Sequence, residues 1–299
     1  MIYETKFKDR LAIAVETDKL IALFLPNDGG KMASLKRKYD GKELLAVKDG
    51  DTYKVLTEGG SYVESECSGF DDMFPTVDPY TPDEGRYKGV TYPCHGEVCR
   101  IPHEYEILEN QVKFYAKSKL FDIQYSKSVA VTNNGGFAIK YNITNLGEED
   151  FPFLWAGHIM LNGEDGMRVL TPFSEDTKTE FMFASGGYDT EKLPKNRLMG
   201  YIPEKGATYK FYYLDKIPEG WFSLLYPDNS KLIFNYDKEV LPYLGIWLNN
   251  GEFQNIYTIT PEPCNLPFDA PNRAKERGLN ANIKAKDSFE FVLNIELEK

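Results

Sequence analysis

A chain of 299 residues with 42% hydrophobic and 27% charged residues is long enough to bury a sizeable core and has the make-up of a globular protein. Its net charge of −11 works against nucleic acid or an acidic membrane surface as a partner. No apolar run reaches the ~20 residues that a membrane-spanning helix needs.

The first residues, MIYETKFKDRLAIAVETDKL, carry charges throughout and lack the apolar stretch of a signal peptide. Cys67, Cys94, Cys99 and Cys264 have neither CxxC spacing nor a disulfide framework, so reduced thiols in a cytoplasmic protein are expected. Further on, residues 69–102 (GFDDMFPTVDPYTPDEGRYKGVTYPCHGEVCRIP) show little alternation and are rich in Gly, Pro and Asp. Long irregular segments of this kind in a compact domain are often functional.

Three features of that segment bear on chemistry. Asp71 and Asp72 form an adjacent acidic pair, able to share the hydroxyls of a polyol or simply to cap a turn. His95, one of only three histidines, has Glu97 and Arg100 close by in sequence. It reads as a donor to a substrate oxygen or as a loop histidine bonded to a backbone carbonyl. His103 opens HEYEIL, which is not an HExxH motif, and is expected to be structural or exposed.

Strands then follow with period-two patterns. QVKFYAK (111–117), FAIKYNIT (137–144), TYKFYYL (208–214) and SFEFVLNI (288–295) each read as half-buried strands, separated by turn signals such as Asn133-Asn134-Gly135-Gly136. Between them, FPFLWAGHIML (151–161) is an apolar run holding His158, which needs a partner if buried, and Trp155, either a flat face for a sugar or core. TPEPCNLPFDAPNRAKERG (260–278) is a second irregular segment, within which 270–278 is expected to give a turn or two of helix. Its Glu262 stands between Pro261 and Pro263, as a surface carboxylate or as a positioned base. Many strands with almost no helix, no internal repeat and no linker indicate an all-β fold, a large antiparallel β-sandwich with residues 1–299 as a single domain.

GxGxxG, Walker A and GxSxG motifs are absent, and the histidines lack metal-ligand spacing. Acid/base chemistry by His and carboxylates is what remains. In chain order, LPNDGGKMASLKRKYDGKELL (25–45), the GFDDMFPT and CHGEV segments, NITNLGEEDFPFLWAGHIML and TPEPCNLPFDA resemble successive elements of the aldose 1-epimerase (galactose mutarotase-like) family, nearly end to end. That resemblance implies a large sandwich of the mutarotase supersandwich kind, no cofactor or metal, and a small-molecule sugar as partner, in a monomer or homodimer. It implies His158 as general acid, Glu262 as general base and His95 as a second imidazole holding the sugar near its ring oxygen, with Glu97 fixing the His95 tautomer. A carboxylate near His158 is expected to favour its protonated form.

Asp71, Asp72, Glu97, Arg100 and Trp155 complete the expected sugar contacts. Better-known members carry an Asn-Arg pair where Asp71-Asp72-Met73 stands, and Arg100 is the candidate to compensate. For the family's further sugar-binding aspartate, Asp228 and Asp237 are candidates by position. The expected reaction interconverts the anomers of a neutral aldose by ring opening and reclosure. Alternatives are a non-catalytic sugar-binding or sensing protein, a glycoside hydrolase with Asp72 and Glu262 as its carboxylates, or a sugar-phosphate epimerase using Arg86, Lys88 and Arg100.

Overall fold

The structure, a computed structural model, describes residues 1–174, 176–185 and 205–299. Two antiparallel sheets dominate it. In the larger, the strands run in the order Ile2–Phe7, Arg10–Glu16, Leu20–Leu25, Lys31–Arg37, Phe70–Met73, Ala156–Ile159, Tyr257–Cys264, Tyr243–Asn250, Thr208–Tyr213 and Thr179–Ser185, with Leu161–Asn162 beside Tyr257–Cys264. The smaller follows Arg168–Leu170, Trp221–Leu225, Lys231–Tyr236, Ser288–Glu298, Phe137–Asn145, Ile123–Val131, Gln111–Lys117 and Glu104–Ile107. A short α-helix spans Pro271–Lys275 inside the segment expected to turn helically. Among the described residues no helix is long and apolar enough to cross a membrane.

Alternation puts the core between the sheets. Phe137, Ile139, Tyr141 and Ile143 from one strand and Phe291, Leu293 and Ile295 from its neighbour face inward, while Lys140 and Glu290 face out. From the larger sheet, Tyr209, Phe211, Leu244, Ile246, Leu248 and Ile259 meet them. At about 25 cal/mol per Å² of apolar surface, such burial is the main force closing the sandwich.

Thr208–Tyr213 departs from the half-buried expectation, because all six of its residues are buried. Tyr209, Phe211 and Tyr213 fill the core, and Thr208, Lys210 and Tyr212 take the opposite face, which the loops cover. Glu262 likewise proves to be on a strand rather than in a loop, since Tyr257–Cys264 pairs with Tyr243–Asn250 along its whole length. Pairing to the other side lapses between Leu161–Ile259 and Ala156–Cys264. That gap accommodates Pro261 and Pro263, which have no N–H to contribute to a ladder.

Candidate active site

Register brings the functional side chains onto one face of the larger sheet. Asp71 lies opposite His158, Lys210 opposite Trp247, and Glu262 opposite Gly245, which in turn faces Tyr212. Gly245 is required there, because a Cβ would come within 2.7 Å of the Tyr212 ring. Loops laid over this face supply Tyr62, His95 and Asp269. The His95-Gly96 turn is left-handed at both residues, with φ of 62° and 75°. A Cβ on Gly96 would lie 2.0 Å from the Phe74 carbonyl oxygen, so the HG pair is fixed by backbone geometry as well as by chemistry.

These elements enclose a cavity of about 410 Å³ whose lining includes His95, His158, Glu262, Lys210, Asp269 and Trp247. Glu262 is at its floor and 0% exposed. Its Oε1 is 4.0 Å from His158 Nε2, and its Oε2 is 2.7 Å from Lys210 Nζ. Lys210 also lies 2.7 Å from Asp269 Oδ1, which accepts a hydrogen bond from the Tyr212 hydroxyl at 2.7 Å. Glu262 Oε2 is engaged by the Lys210 ammonium, whereas Oε1 has no hydrogen-bond partner among the described residues and keeps acceptor capacity for a ligand.

Tyr62 organises the two imidazoles. Its ring stacks on His95 at 3.7 Å and 5° from parallel, while its hydroxyl donates to Asp71 Oδ2 at 2.7 Å and stands 3.2 Å from His158 Nδ1. Asp71 is paired with Lys31 at 3.0 Å. The two imidazoles are nearly perpendicular, with centroids 5.2 Å apart, and Trp247 stacks on the far side of His158.

The electrostatics follow from dryness. Burial raises the Glu262 carboxyl to about 7, opposed by the Lys210 ammonium and reinforced by Asp269 and Asp78. Burial pushes His95 down to about 3, with Lys210, Arg100 and Lys31 adding to the effect. His158 is held well below the usual imidazole range by burial and then by His95, Lys210 and Lys31. The carboxylate expected to keep His158 protonated is thus present at 4.0 Å, but desolvation and the surrounding cations outweigh it. Among the described residues, no three His, Cys, Asp or Glu side chains are grouped to hold a metal ion.

His95, His158 and Glu262 meet at the cavity; the other expected contacts lie elsewhere. Asp71 and Asp72 are adjacent on a strand and so point to opposite faces. Asp71 backs the site through Tyr62, whereas Asp72 is buried against Lys127 at 2.5 Å. Glu97 does not touch His95. It accepts from the Lys119 and Leu120 amides at 2.8 and 3.2 Å and from Ser118, and the His95 Nδ1 neighbour is Cys94 Sγ at 3.0 Å.

Arg100 is spent on backbone carbonyls, those of Gly60 at 2.7 Å, Cys94 at 2.6 Å and Gly96 at 3.0 Å. It ties the loop leading to Tyr62 to the turn carrying His95. Trp155 is 0% exposed and packs between the sheets against Tyr141 and Phe291. Asp228 pairs with Arg37, and Asp237 caps the amide of Glu239, so neither positional candidate lines the cavity. Among the described residues, the further acidic side chains at the cavity are Asp78 and Asp269, the latter beyond Glu262 in sequence. His103 is buried rather than exposed, with Nε2 3.3 Å from the Val98 carbonyl oxygen.

Sequence reasoning missed Tyr62, Lys210 and Asp269. Asp269 follows another left-handed residue, Phe268, and its carbonyl accepts from the Val77 and Asp78 amides. PFDAP between prolines was the available sign of a constrained turn.

No protein-family model and no curated protein matches the chain. Solved structures do. A galactose mutarotase-like protein from Clostridium acetobutylicum aligns over 100% of this chain and 98% of its own, with a TM-score of 0.70 at 17% identity. Another galactose mutarotase-like protein, from Lactobacillus casei, aligns over 96% of this chain and 100% of its own, with a TM-score of 0.67 at 18% identity. A protein provisionally named an aldose 1-epimerase, from Klebsiella pneumoniae, covers 96% and 78% respectively, with a TM-score of 0.71 at 16% identity. The architecture is therefore that of the galactose mutarotase-like β-sandwich. At these identities the likeness establishes the fold, and function has to be argued from the site.

Proposed function

We propose that the protein is an aldose 1-epimerase, interconverting the α- and β-anomers of a neutral aldose. The observation that carries this reading is the pair His158 Nε2 and Glu262 Oε1, which face each other across 4.0 Å at the floor of the cavity. Anomer exchange needs one group to take the proton of the C1 hydroxyl while another gives a proton to the ring oxygen, with both steps reversed on closing. An imidazole and a carboxyl that differ in environment are suited to that division. At about 410 Å³ the cavity falls in the range of small-ligand pockets, roughly 300–1,000 Å³, and Trp247 offers an apolar face to sugar C–H groups.

The charge inventory favours a neutral substrate. The lining cations Lys210 and Arg273 are both paired, Lys210 with Glu262 and Asp269, Arg273 with Asp78 at 2.6 Å. A phosphorylated sugar wants free cations; Arg86 is paired with Asp122 and Arg100 is engaged by carbonyls. The hydrolase reading loses Asp72, which is buried against Lys127 away from Glu262, and the carboxylates that do line the cavity beside Glu262, Asp269 and Asp78, are paired with Lys210 and Arg273.

The test is anomer exchange followed by NMR saturation transfer over a panel of neutral aldoses, with Glu262→Gln as control. Acceleration by the wild type and its loss in the variant are expected. Sugar binding without acceleration on any aldose would instead mark a carbohydrate sensor.

A further inference from the structure

Exposed apolar side chains gather at the mouth of the cavity, above a floor of charged groups. Phe183 and Val63, both lining it, are 46% and 40% exposed, and Met182 and Phe253 are half-buried. Neighbours on a strand normally point to opposite faces. Here the register with Thr208–Tyr213 shifts between Phe181 and Phe183, and this irregularity lets Met182 and Phe183 both reach the cavity. Hydrogen bonds join the segments into a collar: the Gln254 amide donates to the Val63 carbonyl, and the Ser185 hydroxyl to the Glu252 carboxylate. Trp247 meets Phe253 edge-on with centroids 5.6 Å apart, and stacks on His158 at 5.6 Å. An apolar wall therefore runs from the buried imidazole out to the rim.

A single exposed phenylalanine is ordinary, whereas contiguous apolar surface rimming a polar cavity marks a place where a ligand lands. The rim also carries the Arg273–Asp78 pair, 2.6 Å apart, with side chains 39% and 38% exposed. A ligand matching this mouth has an apolar face for the collar and hydroxyls for the ion pair. A sugar ring has both, a C–H face and a polar edge. Anomer exchange sets C1 of the reacting ring at the floor beside Glu262 and His158, so the far end of that ring is directed outward. An unsubstituted aldose offers only hydroxyls there, which gain nothing from Phe183 or Val63. An alkyl chain would cover the collar but strip water from Arg273 and Asp78 without replacing its hydrogen bonds.

We propose that the collar is a second sugar subsite, and that the substrate is the reducing ring of a disaccharide or longer oligosaccharide. The reducing ring takes the floor, with its free C1 toward Glu262 and His158. The next ring lays its C–H face on Phe183, Val63 and Phe253 and presents hydroxyls to Arg273 and Asp78. The orientation, reducing end innermost, rests on the epimerase reading; the subsite itself rests on the collar. Phe183 and Val63 then belong to the contacts of the longer sugar and are absent from those of a monosaccharide, which makes them specificity residues.

The test pairs titration calorimetry with anomer-exchange kinetics on the full chain. The probes are glucose, galactose, mannose and xylose, each beside disaccharides that carry it as the reducing ring. For the preferred aldose, the disaccharide should bind about fivefold or more tighter than the monosaccharide. Phe183→Ser combined with Val63→Ser should abolish that preference while leaving the monosaccharide Kd and kcat/KM within about twofold. Both side chains are exposed, so the changes spare the core; should the double variant not fold, the wild-type comparison and Phe183→Ser alone decide. Monosaccharides bound as tightly as their disaccharides overturn the proposal, and so does a variant that weakens both alike. Exchange on a monosaccharide with no gain from a second ring would sink the subsite and keep the epimerase. A disaccharide preference lost in the variant, without exchange on any sugar, would keep the subsite and sink the epimerase. Failure of every probe to bind overturns both.

Discussion

The Lys210 ammonium lies 2.7 Å from Glu262 Oε2, yet the carboxyl is raised to about 7 because burial outweighs that contact. The stability consequence has a definite sign. Folded Glu262 binds its proton more tightly than the unfolded chain does, so stability is lost as pH rises from about 4.5 through about 7. The loss is on the order of 3 kcal/mol for a shift of this size. Glu262→Gln, which does not ionise, should remove this decline while costing at least about 100-fold in anomer exchange. Thermal melts of both proteins between about pH 5 and 8 check it; parallel pH dependence would refute the assigned ionisation.

The three histidines act in the opposite direction. His95 and His103 are each pushed down to about 3, and His158 well below its ordinary value, with burial the first cause in every case. The unfolded chain takes up protons below about pH 6.5 that the folded one refuses. Each histidine therefore removes up to about 1.4 kcal/mol of stability per pH unit as pH falls. The melting temperature should drop steeply below about pH 6, and a flat profile down to about pH 5 would contradict the dry placement of these rings.

How far this site is legible in sequence depends on how each residue is reached. Phe137–Asn145 and Ser288–Glu298 alternate because one face meets water, and the pattern shows. Thr208–Tyr213 also alternates in polarity, but loops cover its polar face, so Lys210 is read as surface when it is buried at the cavity. Tyr62 is 96 positions from His158 and only the fold joins them. Glu97 and Arg100 mislead for the converse reason. They adjoin His95 in sequence, but the left-handed His95-Gly96 turn sends the following residues elsewhere. Motif order fixes His95, His158 and Glu262; the charged partners that tune them come from strand register and loop packing, which no local pattern encodes.

The separation of Asp71 from Asp72 leads to a contrast between two neighbouring residues. Asp72 and Lys127 form a pair whose side chains are at most 3% exposed. Asp72→Asn strands a buried ammonium and should cost about 3–5 kcal/mol, measured by denaturant unfolding, with KM for sugar unchanged. Adding Lys127→Met should recover much of that loss, since replacing both partners with uncharged groups removes the unmatched charge. A raised KM in a folded Asp72→Asn protein would mean that Asp72 reaches the substrate after all.

Cys94 makes the cavity chemically addressable. Its Sγ is 3.0 Å from His95 Nδ1, it lines the cavity, and it is partly exposed, whereas Cys67, Cys99 and Cys264 are buried. Burial raises its thiol above the ordinary value, with Asp78 adding to the shift. Alkylation by iodoacetamide should accordingly be slow near neutrality and quicken as pH rises, because the thiolate is the reacting species. Mass spectrometry of the native protein should find the label at Cys94 well before the other three. If the cavity takes the proposed aldose, a carbamidomethyl group beside His95 fills the space for it, so the labelled protein should lose sugar binding, and saturating sugar should protect the thiol. Equal labelling with and without a bound aldose would separate Cys94 from the sugar site and move the ligand toward Trp247 and Asp269.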